Sequence, residues 1–124
     1  MNRTLLLIED NEQNRYLVTY LLQARGWTVE HAADGASGIA RAQELRPALV
    51  LLDIQLPGMD GYTVAQELRQ KPVLANTPII AVTSYAMPGD RERCLRAGCS
   101  GYIEKPIDPD TFVDAVESHL EAPT

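Results

Sequence analysis

The sequence predicts an α/β domain, a five-stranded parallel sheet covered on both faces by five helices. Three observations predict it. Short apolar runs alternate with longer amphipathic segments from one end of the chain to the other. The runs at 4–8, 49–53 and 79–83 are almost continuously apolar, as in strands buried on both faces. The links between runs and segments are short, as in sheets built from strand–helix–strand units.

Each element can be justified in order. Thr4 to Ile8 is the first strand. Asn11 caps a helix that continues to about Arg25, with Leu17, Tyr20, Leu21 and Ala24 on one stripe and Gly26 as its stop. Thr28 to Ala32 alternates like a strand nearer the sheet edge, and Trp27 just before it packs at the helix–strand corner. Ala36 to Leu45 reads as an Ala-rich second helix, stopped by Pro47. Leu49 to Asp53 is a buried strand that closes on a carboxylate. Leu56 to Gly61 is dense in turn formers, and Asp60 caps a third helix from about Gly61 to Gln70. Pro72 and Pro78 bracket a connection to the fourth strand, Ile79 to Thr83. A helix follows from Pro88 to Ala97, with Pro at its start and Gly98 at its end. Gly101 to Glu104 is a short fifth strand, and Pro109 to Leu120 is the last helix.

Composition narrows the function classes. A chain of 124 residues suits one domain, here 1–124 with its core at about 3–120, and no output domain is expected in it. Charged residues interrupt every apolar run well short of a membrane span. The N-terminus shows no signal-peptide pattern, so the expected location is cytoplasmic. With 11 basic and 17 acidic side chains the net charge is −6. That is a poor basis for direct contact with nucleic acid, where phosphate contacts supply most of the affinity. Cys94 and Cys99 lack metal-ligand spacing and read as small thiols in or near the core.

In open α/β sheets, ligands bind beyond the carboxyl ends of the strands. Glu9 and Asp10 follow the first strand, Asp53 ends the third, Thr83 and Ser84 end the fourth, and Lys105 follows the fifth. One rim therefore collects three carboxylates, two hydroxyls and one ammonium. Two unit charges about 4 Å apart repel by roughly 4 kcal/mol at an effective dielectric of about 20. One lysine cannot neutralise three such groups. A hard divalent cation can, and Mg²⁺ favours carboxylates together with water and a phosphate oxygen.

These residues carry a resemblance. Glu9-Asp10, Asp53 within LLDIQLPGMDG, Thr83-Ser84, and Tyr102 to Pro106 together resemble the receiver domain of bacterial two-component response regulators. The resemblance spans about residues 3 to 120 and implies a flavodoxin-like doubly wound sandwich with strand order 2-1-3-4-5. It implies that Asp53 is the phosphoacceptor, attacking the phosphohistidine of a sensor histidine kinase or phosphotransfer protein. It implies that Asp10 and Asp53 ligate Mg²⁺ (or Mn²⁺) directly, that Glu9 acts through water, and that Gln55 adds its backbone carbonyl. Lys105 pairs with Asp53 and then with the phosphoryl oxygens, Thr83 and Ser84 contact the phosphoryl group, and Lys105-Pro106 is a cis peptide. Tyr102 swings inward and reshapes the surface of the fourth helix, fifth strand and fifth helix, which a downstream protein target reads. Such a domain is no conventional enzyme, although it catalyses its own phosphorylation and autodephosphorylation. Gln55 and Tyr85, two residues past Asp53 and Thr83, flank the path of the hydrolytic water and tune the lifetime. The implied protein is a monomer or a phosphorylation-dependent dimer, with no membrane contact, and is closest in feel to single-domain or hybrid-kinase receivers.

Each motif has a plainer reading by itself. Glu9-Asp10 also suits a helix start, Thr83 is an ordinary strand residue, Tyr102 a half-buried packing residue and Lys105 a surface lysine. Asp53 is harder to dismiss, because a carboxylate closing an apolar strand is costly to bury without a partner. Three rivals fit less well. A haloacid-dehalogenase phosphatase wants a second Asp where Gln55 stands. A flavin-binding flavodoxin would need a phosphate-cradling first loop, which Glu9-Asp10 would repel. A pseudo-receiver would lack part of the set that is complete here.

Overall fold

Five strands form where the apolar runs stand in the computed structural model, which describes residues 2–84 and 87–120. They are β1 (Thr4–Ile8), β2 (Thr28–Ala32), β3 (Leu49–Asp53), β4 (Ile79–Thr83) and β5 (Gly101–Glu104). All pair in parallel in the order β2-β1-β3-β4-β5, as the resemblance implied. Between them lie α1 (Glu12–Ala24), α2 (Gly35–Leu45), α3 (Gly61–Gln70) and α4 (Asp90–Ala97), and α5 (Phe112–Glu117) comes last. A single turn of 3₁₀-helix, Pro72–Leu74, fills part of the link after α3.

Local chemistry sets these boundaries. Asn11, Asp34 and Asp60 each accept a hydrogen bond from the main-chain N–H three residues on, at 2.9, 2.8 and 2.9 Å. Each thereby satisfies one of the donors left open at a helix start. Gly98, at φ +113, ends α4 in the left-handed conformation that glycine adopts without strain.

Strand alternation sorts the apolar residues into two layers. Leu6, Ile8, Val50, Leu52, Ile79 and Ala81 pack under α2, α3 and α4. Leu5, Leu7, Leu49, Leu51, Ile80 and Val82 pack under α1 and α5, with Val18, Leu22, Phe112, Val113 and Val116. Cys94 and Cys99 lie buried as free thiols in the first layer. Burial pushes the Cys99 thiol up to about 12 and Cys94 in the same direction, so both stay protonated and unreactive.

Three expectations need correction. The buried positions of α1 are Val18 and Leu22, while Tyr20 is 63% exposed. Val18, Leu21, Leu22 and Arg25 repeat at the same spacing as Leu17, Tyr20, Leu21 and Ala24, and the sheet selects the aliphatic stripe over the one containing a polar-tipped tyrosine. Helix α4 starts at Asp90 rather than Pro88, because Gly89 sits at φ +89 and breaks the helical path. Helix α5 is shorter than Pro109 to Leu120. The Asp108 side chain accepts from the Asp110 N–H at 2.9 Å and forms a turn that delays the start, and beyond Glu117 the chain continues as turns.

Candidate functional site

Parallel register carries the polar residues to one rim. Ile8 lies beside Leu52, and Asp53 beside Val82. The next residue along each path is still held by the main chain. The Glu9 N–H donates to the Ala32 carbonyl at 3.0 Å, the Ile54 N–H to Val82 at 3.1 Å, and the Lys105 N–H to Thr83 at 2.7 Å. The functional side chains therefore spring from backbone fixed by the sheet.

Glu9, Asp53 and Thr83 are the buried polar side chains among the described residues, at 3%, 5% and 3% exposure. Asp10 is exposed above them. Oxygens of Glu9, Asp10 and Asp53 all lie within 4.8 Å of one another. Lys105 Nζ reaches over the strand ends and donates to Glu9 Oε1 at 2.9 Å, and it lies 3.5 Å from Asp53 Oδ2. The peptide bond after it, Lys105-Pro106, is cis. Asp53 Oδ1 accepts the Gln55 N–H at 3.0 Å.

The acidic cluster is under electrostatic load. Burial pushes the Glu9 carboxyl up to about 7, Asp53 adds to the rise, and Lys105 opposes it. Glu9 Oε2 is buried and has no hydrogen-bond partner among the described residues. A buried orphan oxygen beside two further carboxylates fits a cation site, and an all-oxygen set suits Mg²⁺ or Mn²⁺.

The remaining residues are placed as follows. By alternation Thr83 shares a face with Ile79 and Ala81, the face packed by α3 and α4. Half-buried Tyr102 packs against that same layer, and burial raises its hydroxyl, with Asp90 nearby contributing. The Ser84 and Gln55 side chains are exposed beside the rim. Tyr85 lies outside the described residues. The resemblance pairs Lys105 with Asp53, whereas in the structure Glu9 is its nearer partner. The one available signal was that Glu9, with an extra methylene, follows an apolar strand as directly as Asp53 ends one.

A model of the response regulator receiver domain matches residues 5–117. The chain belongs to the response regulator receiver domain family. Its relatives include the polar-differentiation response regulator DivK of Brucella anthropi, 39% identical over 120 residues, a match covering 97% of this chain and 98% of that one. Among solved structures, the Vibrio cholerae chemotaxis protein CheY4 superposes with a TM-score of 0.91 at 28% identity, covering 97% of this receiver and 100% of that chain. The receiver domain of a sensor histidine kinase from Pseudomonas aeruginosa superposes at 0.86 with 34% identity, covering 95% and 97%, and holds a magnesium ion in its active-site cleft. This receiver is thus a signalling domain of the two-component type. No described helix is long and apolar enough to cross a membrane.

Proposed function

We propose that this receiver accepts a phosphoryl group on Asp53 from the phosphohistidine of a sensor kinase or phosphotransfer protein. The observation that carries the reading is the buried Asp53 carboxylate, set within 4.8 Å of Glu9 and Asp10 oxygens and 3.5 Å from Lys105. The bond from histidine nitrogen to phosphorus breaks as one from an Asp53 oxygen forms. The Gln55 N–H fixes Asp53 Oδ1, so the carboxylate is oriented before the donor arrives. Asp10, Asp53 and the Gln55 carbonyl are the ligands proposed for Mg²⁺ or Mn²⁺, with Glu9 acting through water. A cation bound there would neutralise the phosphoryl oxygens. Lys105 supplies a second positive charge to the same oxygens, and Thr83 and Ser84 supply hydroxyls.

The same site ends the signal by hydrolysis: water attacks the phosphorus of the acyl phosphate, the bond to the Asp53 oxygen breaks and inorganic phosphate leaves, while Gln55 and Tyr85 screen the water's path. Phosphorylation draws Thr83 towards the rim, Tyr102 turns inward, and the α4-β5-α5 face changes shape for a protein target. The acidic surface favours protein over nucleic acid as that target.

The test is incubation with acetyl phosphate and Mg²⁺, followed by intact mass. One added phosphate is expected, lost in Asp53→Asn and lost with EDTA. No added mass, from acetyl phosphate or from a phosphorylated kinase, would sink the reading in favour of a domain that only binds. For the lifetime role, Tyr85→Ala is expected to shorten the phosphoryl half-life; an unchanged or longer half-life refutes it.

A further inference from the structure

Helix α4 is fastened to α3 at both ends, by two α3 side chains seven residues apart, Tyr62 and Arg69. Seven residues of helix rise about 10.5 Å, close to the length of α4 itself, about 12 Å. The two fastenings differ in kind. At the far end, Arg69 Nε and Nη2 donate to the Gly98 carbonyl at 3.0 and 2.7 Å. Its Nη1 donates to the carbonyls of Leu74, Ala75 and Thr77 at 3.0, 3.0 and 2.9 Å. These bonds are charge-assisted, and Gly98 lies where a helix end leaves carbonyls unsatisfied.

At the near end, Tyr62 Oη donates one long bond, 3.3 Å, to Asp90 Oδ1. The exposed Arg93 guanidinium stacks 3.9 Å from the Tyr62 ring centroid. Burial, with Cys94 and Asp90 close by, pushes the Tyr62 hydroxyl up to about 12, so it remains a donor. Asp90 Oδ2 meanwhile accepts the Met87 N–H at 2.8 Å. Water can replace the Tyr62 and Arg93 contacts at modest cost. The weak end is also the one beside the rim, since α4 begins a few residues after Ser84. The strong end lies at the opposite rim, where the Ser100 N–H donates to the Ile79 carbonyl at the start of β4.

We infer that α4 pivots about its Gly98 end, which Arg69 anchors, and that Tyr62, Asp90 and Arg93 form the latch on the end that swings. The inference rests on the reading of the rim as a phosphoryl switch. A latch that stabilises the resting position opposes phosphorylation by the same free energy, because coupling is reciprocal. Opening it should therefore tighten the site for a phosphoryl mimic.

The test is amide hydrogen exchange on the full chain, with and without beryllium fluoride and Mg²⁺. Tyr62→Phe removes only the hydroxyl. It is expected to speed exchange at Arg93 and Cys94 about 2- to 10-fold, leaving Gly98 and Cys99 unchanged, and to tighten beryllium fluoride binding by a similar factor. Arg69→Lys is expected to loosen Gly98 and Cys99 instead. Unchanged exchange at Arg93 in Tyr62→Phe, or equal acceleration at both ends, overturns the pivot. So does unchanged or weaker binding of the mimic by a variant whose latch has opened. If the wild-type chain ignores beryllium fluoride altogether, the switch reading has failed, and the exchange pattern alone then judges the latch.

Discussion

Glu9 pays for its position. Its carboxyl is buried between Asp53 and Lys105 and takes up a proton at about 7 rather than at the ordinary 4.5. Between those values the folded chain binds more protons than the unfolded chain, so stability falls as pH rises. The contribution is fully present below pH 4.5 and is lost as pH rises through about 7. In EDTA, urea unfolding should show a loss of about 1–3 kcal/mol between about pH 5 and 8. Glu9→Gln should flatten that dependence, and an equal slope in the variant would show that another group is responsible. Asp53 and Lys105 face Glu9 directly and Asp10 lies beside it, so Asp53→Asn is expected to reduce the slope as well.

Where the loop from β3 enters α3, Gly61 has no room for a side chain. A Cβ on Gly61 would collide with Ile54 Cα, and the Gly61 N–H donates to the Ile54 carbonyl at 3.0 Å. Backbone cannot move aside as a flexible side chain would. Gly61→Ala is therefore expected to lower stability by about 1–3 kcal/mol, read from the urea midpoint. Because Ile54 adjoins Asp53, the substitution should also slow phosphorylation from acetyl phosphate. Wild-type stability and rate together would show that the loop relaxes. The caps at Asn11 and Asp60 were legible in the sequence because capping is local; the cap at Asp34 emerged only with the structure. The stripe of α1, the start of α4 and the ends of α5 were not legible. Two overlapping stripes fit the α1 pattern, and a left-handed Gly89 and an Asp108 turn interrupt helices that composition would have continued.

Across the whole molecule, the rim opposite the site is closed by a clasp between distant segments. Trp27 Nε1 donates to Glu117 Oε2 at 3.0 Å, Arg25 pairs with Glu117 at 2.9 Å and Asp114 at 3.1 Å, and the Arg3 guanidinium lies 4.3 Å from the Trp27 ring centroid. It ties the chain start, the α1–β2 corner and α5 together, far from the chemistry. Glu117→Ala leaves the buried indole N–H without its acceptor and should cost about 1–3 kcal/mol. The chain has one tryptophan, so its fluorescence during urea unfolding reports the loss directly. Phosphorylation should be unaffected; a parallel loss would mean that the clasp reaches the active rim.

The sequence by itself determined the sheet, its two apolar layers and the set of residues at its carboxyl rim. The layers follow from period-two alternation, a property of neighbouring residues, and the rim from the alternation of strands with helical links, which makes the strands parallel and brings their ends to one side. Only the tertiary structure decided how that set is wired. Lys105 sits nearer Glu9 than Asp53, Glu9 keeps one oxygen without a partner, and α4 is anchored firmly at Gly98 and lightly at Asp90. These are choices among several similar partners brought together from distant parts of the chain. Side-chain reach and burial settle them, and neither can be read from order along the sequence.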